Sequence, residues 1–287
     1  MIGLEQIKEY FPPLVRDNPA YQKYMLKEYL QLLILDFLAT TSYIRKIVFI
    51  GGTSIRLIKG IDRFSEDLDF DFKGLSHEEF IRMTEDVLVF LQRFGMDVEA
   101  RDKPSDKLKA FRRNLHFPEL LYKLGLSGHK DEKFLIKLES QDQQVPYLPK
   151  IINIKGCGFY FPFPYPGDEI VCAMKISALL SRQKGRDFYD TMFLLGQTSP
   201  DYSFLSARCG VNNLTELKGA VTEMLTHVDL QQKSKDFEHL LFQHRNSKRI
   251  LSFDSFIAGL EESGMRNEES IKNYELRIKN EIGKLGN

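Results

Sequence analysis

The stretch at residues 47–72 constrains the fold of this 287-residue chain more than any other part of the sequence. Its first half is an apolar run rich in β-branched residues that ends at Gly51 and Gly52, a composition typical of a buried strand. Because the two glycines lack Cβ atoms, backbone amides can approach a ligand closely at this turn. We expect Thr53 or Ser54 to cap a helix here, and the free amides at the start of such a helix form a natural phosphate site.

The second half of this stretch alternates acidic and apolar residues, so a strand here has one acidic face, which carries Asp67, Asp69 and Asp71. Three carboxylates on one face repel each other unless a cation lies among them. Asp is also disfavoured in strands, which argues against an ordinary solvated edge strand. Two carboxylates two residues apart can share Mg²⁺, which proteins usually hold with one or two carboxylates plus substrate phosphates. The sequence therefore predicts a metal site at Asp67 and Asp69, with the role of Asp71 left open.

The composition indicates a globular protein with no generally basic surface. Hydrophobic residues make up 43% and charged residues 28% of the chain, and 40 basic residues balance 40 acidic ones. Any contact with nucleic acid must therefore use a local patch. The three cysteines (Cys157, Cys172 and Cys209) are widely spaced and odd in number, so neither a disulfide framework nor a zinc site follows from them.

The termini and apolar runs indicate the expected location of the protein. No N-terminal segment combines a basic start, an apolar run and a cleavage site. The apolar run at residues 32–38 is interrupted by Asp36 and is too short to span a bilayer. We therefore expect a cytoplasmic protein without membrane association.

Local patterns predict the elements around the central stretch. Apolar residues recur at helical spacing over residues 21–40, which predicts a helix. Ser76 and Glu79 form a capping box, so a second helix should run to about Phe94, with Gly95 as its end. Strands are expected at residues 96–101, 134–139 and 151–154.

A proline-rich segment at residues 161–167 divides the chain into two predicted domains. Its prolines are incompatible with a helix interior or a central strand, so we expect a linker that permits hinge motion. Asp168 should then cap a helix. The predicted fold is α+β, with a mixed sheet flanked by helices in residues 1–165 and an all-helical domain in residues 166–287. The helices of that domain are expected at residues 169–195, 213–227, 236–244, 253–262 and 268–284.

Two further features of the first domain are open to more than one interpretation. Residues 102–113 contain five cations, Lys103, Lys107, Lys109, Arg112 and Arg113. A solvated basic face and a contact with nucleic acid or a triphosphate explain them equally well. Glu139 ends a predicted strand, where it could complete the metal site, act as the base for an incoming hydroxyl, or be an ordinary strand-end glutamate.

The second domain contains a cluster of charged residues. If its first helix is continuous, Lys175, Arg182 and Arg186 lie on one face, because offsets of seven and eleven residues return to nearly the same angle. Three cations on one face suit a triphosphate, although a solvated basic stripe has the same pattern. Asp187 and Asp190 could pair with these cations, whereas a helix break at Gly185 would change the geometry.

Two signatures in the chain resemble those of the AbiEii/AbiGii toxin family, which contains nucleotidyltransferase-like proteins related to the MenT toxins. The first is Gly51-Gly52-Thr53-Ser54-Ile55-Arg56 followed by the Arg-Phe-Ser-Glu-Asp-Leu-Asp-Phe sequence of residues 63–70. The second is Lys175, then Arg182, then the Arg-Asp-Phe-Tyr-Asp sequence of residues 186–190. Together the two signatures cover roughly residues 47–195.

The resemblance implies a nucleotidyltransferase-like fold and a site that both domains share, with Lys175 and Asp187 supplied to its cleft by the helical domain. It implies catalytic roles for Asp67, Asp69, Glu139, Lys175 and Asp187. It implies nucleotide-binding roles for Gly51, Gly52, Thr53, Ser54, Arg56, Ser65, Arg182 and Arg186. The implied substrate is an NTP, used with Mg²⁺ or, in its place, Mn²⁺.

The resemblance also implies an activity and partners. We expect transfer of a nucleotide to the hydroxyl of an RNA such as tRNA, by a bacterial toxin or abortive-infection component that has a cognate antitoxin. A small-molecule acceptor, as in antibiotic-modifying nucleotidyltransferases, is one alternative. A non-catalytic nucleotide-binding or interaction module is another, and the intact Asp67, Asp69 and Lys175 argue against it.

Overall fold

The computed structural model describes residues 3–101 and 111–261. The chain divides into two units, Met1–Pro166 and Gly167–Asn287. Three of the predicted basic residues, Lys103, Lys107 and Lys109, lie outside the described residues, as does the helix expected at residues 268–284.

A five-stranded mixed sheet forms the centre of the first unit; the sequence predicts the mixed sheet but not its strand at Phe111–His116. Its strands are β1 (Ile47–Ile50), β2 (Asp67–Phe72), β3 (Glu99–Ala100), β4 (Phe111–His116) and β5 (Leu135–Ser140), in the order β1-β2-β5-β4-β3. Strands β2 and β5 pair in parallel and the other neighbours are antiparallel. The acidic strand β2 therefore lies inside the sheet, between β1 and β5.

The helices of the first unit include the two long ones expected from the sequence. They are α1 (Leu4–Lys8), α2 (Pro13–Arg16), α3 (Gln22–Ala39), α4 (Gly51–Ser54), α5 (His77–Arg93) and α6 (Leu120–Lys123), with 3₁₀ helices at Pro19–Tyr21 and Ser42–Arg45 and a π-helix at Ile55–Lys59. The predicted capping box of α5 is present, since Glu79 N donates to Ser76 Oγ at 3.2 Å and Ser76 N to Glu79 Oε2 at 3.0 Å.

The proline-rich segment is a strand, so the prediction of a linker over its whole length is wrong. Strands β6 (Lys150–Gly156) and β7 (Phe159–Tyr165) form a two-stranded antiparallel sheet in which Pro162 and Pro164 pair with Asn153 and Ile151. In such a pair, alternate residues turn their N–H groups away from the partner strand, so prolines two residues apart remove no ladder hydrogen bond. The side chains of Phe161 and Phe163 are buried, so this hairpin belongs to the packed first unit.

The described part of the second unit is helical throughout. Its helices are α7 (Asp168–Arg182), α8 (Gly185–Leu195), α9 (Tyr202–Cys209), α10 (Leu214–Leu225), α11 (Leu230–Lys235) and α12 (Phe253–Ala258), with 3₁₀ helices at Glu238–Leu240 and His244–Ser252. The residues expected as one helix at 236–244 thus form a short 3₁₀ turn and the start of a second one.

The expected helix at residues 169–195 is interrupted. It breaks after Arg182 because Gln183 is left-handed, with φ 52°, and Lys184 is extended. Helix α8 then begins at Gly185, where a Cβ would lie 2.8 Å from a ring carbon of Phe237. Helix α7 begins at Asp168 itself, so Gly167, and not Asp168 as expected, is the N-cap residue.

In the part of the chain that the structure describes, we find no helix with the length and apolar character that crossing a membrane requires.

Candidate active site

The two halves of the 47–72 stretch come together at Gly51 and Asp69. Strand β1 pairs with β2 so that Ile50 lies opposite Asp69, and the chain turns at Gly51 with φ +81°. A Cβ on Gly51 would lie 2.7 Å from Asp69 Cβ and 2.8 Å from Asp69 Cγ. Only glycine therefore allows the turn to lie directly against this carboxylate.

The second glycine of the turn lies against Ser65 and Arg63. A Cβ on Gly52 would lie 2.8 Å from Ser65 Oγ and 3.0 Å from Arg63 Nη2. The guanidinium of Arg63 is fully buried and donates through Nη1 to the Phe64 carbonyl at 2.9 Å. Ser65, one of the predicted nucleotide-binding residues, thus lies beside the turn, together with an arginine to which sequence reasoning gave no role.

Thr53 and Ser54 do not cap a helix, contrary to expectation, because α4 already begins at Gly51. The Ser54 hydroxyl donates to the Gly51 carbonyl at 2.9 Å, and the Thr53 hydroxyl donates to the backbone carbonyl of Asp67. Both residues are buried. The Thr53 hydroxyl therefore fixes the turn to the acidic strand, and the Ser54 hydroxyl closes the turn on itself.

The sheet register places Glu139 on the same face as the acidic residues of β2. In the parallel pairing, Asp69 lies opposite Glu139 and Asp67 opposite Lys137. Glu139 accepts from Arg112 Nε and lies 3.4 Å from Lys137 Nζ. Among residues 3–101 and 111–261 there is no group of three His, Cys, Asp or Glu side chains that could hold a metal ion. Participation of Glu139 in a metal site therefore stays a prediction.

Lys137 is a residue of this face that sequence reasoning did not single out. Its Nζ lies 2.9 Å from Asp67 Oδ2, so it bridges Asp67 and Glu139. Burial alone would lower the pKa of Lys137, but the hydrogen bond to Asp67 and the charges of both carboxylates outweigh burial and raise this pKa above its ordinary value. The alternation of strand side chains could have revealed this lysine, since it lies two residues before Glu139.

The donor set at this face fits a hard divalent ion. Asp67 and Asp69 are both partly accessible and point to the same side of β2. Two carboxylates are the usual protein share of a Mg²⁺ site whose other ligands are substrate phosphates and water.

Asp71 has a structural role. It is fully buried; Oδ1 accepts from Gln143 N at 2.9 Å, and Oδ2 accepts from the Tyr147 hydroxyl and lies 2.9 Å from Lys73 Nζ. Burial, followed by the hydrogen bond to Asp71, raises the pKa of Tyr147. Asp71 thus anchors the loop after β5 and is not part of the Asp67 and Asp69 pair.

Three arginines with predicted or possible ligand contacts are held by carboxylates. The Arg56 guanidinium pairs with Glu28 through Nε at 2.8 Å and Nη2 at 3.0 Å. Arg113 is buried and pairs with Glu85, and Arg112 pairs with Glu139. These ion pairs tie Arg56 and Arg113 to neighbouring elements, and nucleotide binding by Arg56 stays a prediction.

In the second unit, the carboxylates of α8 hold the cations of α7. Lys175 is buried, with Nζ 2.8 Å from Asp190 Oδ2 and 4.0 Å from Asp187 Oδ1. Arg182 donates to Asp187 through Nε at 2.8 Å and Nη2 at 2.7 Å. Because the helix breaks between Arg182 and Arg186, the expected continuous face of three cations does not exist. Arg186 is half-buried.

The structure thus forms two groups of predicted site residues. In the first unit it brings together Gly51, Gly52, Ser65, Asp67, Asp69 and Glu139. In the second unit it brings together Lys175, Arg182 and Asp187 and adds Asp190.

Comparison with known proteins gives a family match. Residues 33–212 match the family described as nucleotidyl transferase AbiEii toxin, type IV toxin–antitoxin system. The fold is similar to that of MenT4, a nucleotidyltransferase toxin from Mycobacterium tuberculosis, with a TM-score of 0.55, 17% identity, and coverage of 96% of this chain and 97% of that one. The structure of JHP933 from Helicobacter pylori gives a TM-score of 0.49 at 18% identity, over 92% of this chain and 98% of that one. No match was found among curated proteins.

Proposed function

The chain belongs to the AbiEii family of nucleotidyltransferase toxins, and we propose that it transfers a nucleotide from an NTP to a hydroxyl of an RNA such as tRNA. The observation that carries this proposal is the contact between the Gly51 turn and Asp69. It joins a backbone suited to close approach by phosphates with a carboxylate pair suited to a divalent ion.

Asp67 and Asp69 would hold the metal ion, Mg²⁺ or in its place Mn²⁺. The bound ion would neutralise charge on the triphosphate. Thr53 supports this assignment because its hydroxyl holds the backbone of Asp67, so the strand bearing both carboxylates is fixed to the turn.

The turn at Gly51 and Gly52 would receive the phosphates of the NTP. Ser65 and the buried Arg63 lie against Gly52, where a Cβ would collide with the Ser65 hydroxyl. In the transfer, the acceptor hydroxyl gives its proton to solvent water and its oxygen bonds to the α-phosphorus. The bond between the α-phosphorus and the β-phosphate oxygen breaks, and pyrophosphate leaves.

Lys175 would act in the same reaction by neutralising charge on the leaving pyrophosphate. Asp190 would hold its ammonium in position, and Asp187 would act as a positioning residue through Arg182. Both signatures lie within the matched residues 33–212, which supports a role for Lys175 and Asp69 in one activity. Arg182 and Arg186 are candidates for phosphate contacts, since Arg182 is partly exposed and Arg186 is half-buried.

Glu139 is the least suited of the predicted catalytic residues to act as a base. Its carboxylate is already engaged by both Arg112 and Lys137, so it is less free to contact an acceptor hydroxyl. We assign it to the positioning of these two cations.

The description of the family as a toxin–antitoxin system supports a cognate antitoxin as partner. We propose that the enzyme acts in the cytoplasm, where NTPs and RNA are available.

The test is incubation with each labelled NTP, Mg²⁺ and total RNA. Label on RNA supports the proposal and identifies both the nucleotide and the acceptor. A parallel reaction contains a cell extract, and label on a small molecule there would show a small-molecule acceptor. NTP binding without transfer would show a non-catalytic module. An Asp69→Asn variant run in parallel separates transfer at this site from contaminating activity.

A further inference from the structure

A lysine ammonium lies where two strands present carboxylates to each other. Lys137 on β5 lies opposite Asp67 on β2, with Nζ 2.9 Å from Asp67 Oδ2 and 3.4 Å from Glu139 Oε1. Its side chain is 25% exposed, and those of Asp67 and Glu139 are each 23% exposed. The ammonium is therefore sheltered enough for its charge to act strongly on both carboxylates.

The surrounding residues hold this ammonium in place. Glu139 also accepts from Arg112, which lies opposite it on β4. A row of alternating charges thus crosses three neighbouring strands in the order Arg112, Glu139, Lys137, Asp67. Cross-strand pairs of opposite charge stabilise a sheet, and each member restrains the next.

The ion pairs of Lys137 with Asp67 and Glu139 affect the number of metal ions that the site can bind. Sites with two metal ions hold them about 3.5–4 Å apart and need carboxylates to neutralise both. Here Asp67, one of the two β2 carboxylates, already neutralises Lys137. Glu139, the next carboxylate in register, pairs with the same lysine. A second divalent ion between Asp67 and Glu139 would meet the positive charge of Lys137 at short range.

Building on the proposed function, we propose that Lys137 is a resident cation that takes the place of a second metal ion, so that this site binds one divalent ion. Lys137 is then a positioning residue, which holds Asp67 and Glu139 in register and keeps the site from binding a further ion. Arg112 on β4 pairs with Glu139, and Glu139 in turn pairs with Lys137.

The test measures Mn²⁺ binding to the full chain, without nucleotide, from the decrease of the electron paramagnetic resonance signal of free Mn²⁺. Wild type should bind one Mn²⁺ per chain. Lys137→Gln and Lys137→Met, which remove the charge, should bind a second Mn²⁺ or bind the first at least tenfold more tightly. Lys137→Arg, which restores a cation, should behave as wild type. Lys155→Gln is the matched control, because Lys155 is an exposed lysine of strand β6.

Thermal melting of each variant separates loss of the fold from a change in the site. Lys137→Gln and Lys137→Met differ in polarity, so if one does not fold, the other still provides the test. Mn²⁺ binding by a folded Lys137→Gln or Lys137→Met protein with wild-type stoichiometry and affinity would overturn the proposal. The metal role of the aspartates is judged separately by Asp69→Asn in the same titration, which should lose Mn²⁺ binding whether or not Lys137 limits the site to one ion.

Discussion

Gly51 and Asp69 lie so close together that no side chain fits between them: a Cβ on Gly51 would lie 2.7 Å from the Cβ of Asp69. The turn after β1 and the acidic strand β2 are therefore parts of one site. We expect Gly51→Ala to destabilise the protein and suppress transfer, because it adds this collision to a backbone with φ +81°. The backbone strain alone should cost about 1–3 kcal/mol.

Gly60→Ala is the matched control for the Gly51 variant. Gly60 has φ +72° but no atom within 4 Å of its Cβ position. Urea unfolding of both variants should show a larger loss for Gly51→Ala, and only that variant should lose transfer. Equal losses of stability, with transfer retained in both, would show that the approach to Asp69 has no functional role.

Asp71 should matter for stability through Tyr147. Tyr147→Phe removes the hydroxyl that donates to the buried Asp71 carboxylate, so we expect a loss of about 1–3 kcal/mol in the free energy of unfolding. Tyr160→Phe, at a side chain that is 68% exposed, should change it by less than about 0.5 kcal/mol. Chemical denaturation compares the two variants, and indistinguishable midpoints would refute the anchoring role of Asp71.

Lys175 and Asp190 should be coupled energetically. Both side chains are buried and their charged atoms are 2.8 Å apart, so removing one partner leaves a buried charge and should cost about 3–5 kcal/mol. We expect Lys175→Met/Asp190→Leu to be more stable than the sum of the single variants predicts, by about 0.5–3 kcal/mol. A double-mutant cycle by denaturation measures this coupling, and strict additivity would contradict it. Lys175→Ala should also suppress transfer.

Thiol reactivity tests the packing of both units. Burial raises the pKa of Cys157 to about 12, with a smaller contribution from the charge of Glu28, and burial also raises the pKa of Cys172. Raised pKa values leave almost no thiolate at pH 8, so these two thiols should react with Ellman's reagent only after unfolding. Burial also raises the pKa of Cys209, but this residue is exposed, so the reagent can reach its thiol and it should react in the native protein. Rapid reaction of more than one thiol in native protein, or of any thiol in native Cys209→Ser, would contradict the described packing.

Local patterns in the sequence were sufficient to predict the central elements. The alternation at Asp67 and Asp69 predicts the acidic strand because strand side chains alternate whatever the partner strand is. The capping box at Ser76 and Glu79 predicts the start of α5 because its hydrogen bonds lie within four residues. The family signatures add the prediction that the sheet face with Asp67 and Asp69 carries the active site.

The sequence analysis did not predict features that depend on distant residues or that have no local sequence signal. Pro162 and Pro164 fit strand β7 only because their N–H positions point away from β6, which cannot be read from the segment alone. Gln183 ends α7 in a left-handed conformation that the sequence pattern does not mark. Lys137 and Arg56 have obvious charges, but their partners Asp67 and Glu28 are 70 and 28 residues away.

The central claim is that Asp67 and Asp69 carry the reaction, and Asp69→Asn tests it most directly, because it removes one charge while keeping the size and shape of the side chain. Transfer of labelled nucleotide should slow by about a hundredfold or more, equivalent to at least about 3 kcal/mol in the barrier. The melting temperature should stay the same or rise slightly, because the change relieves repulsion between neighbouring carboxylates. An Asp69→Asn protein that melts normally and transfers at the wild-type rate would contradict the account.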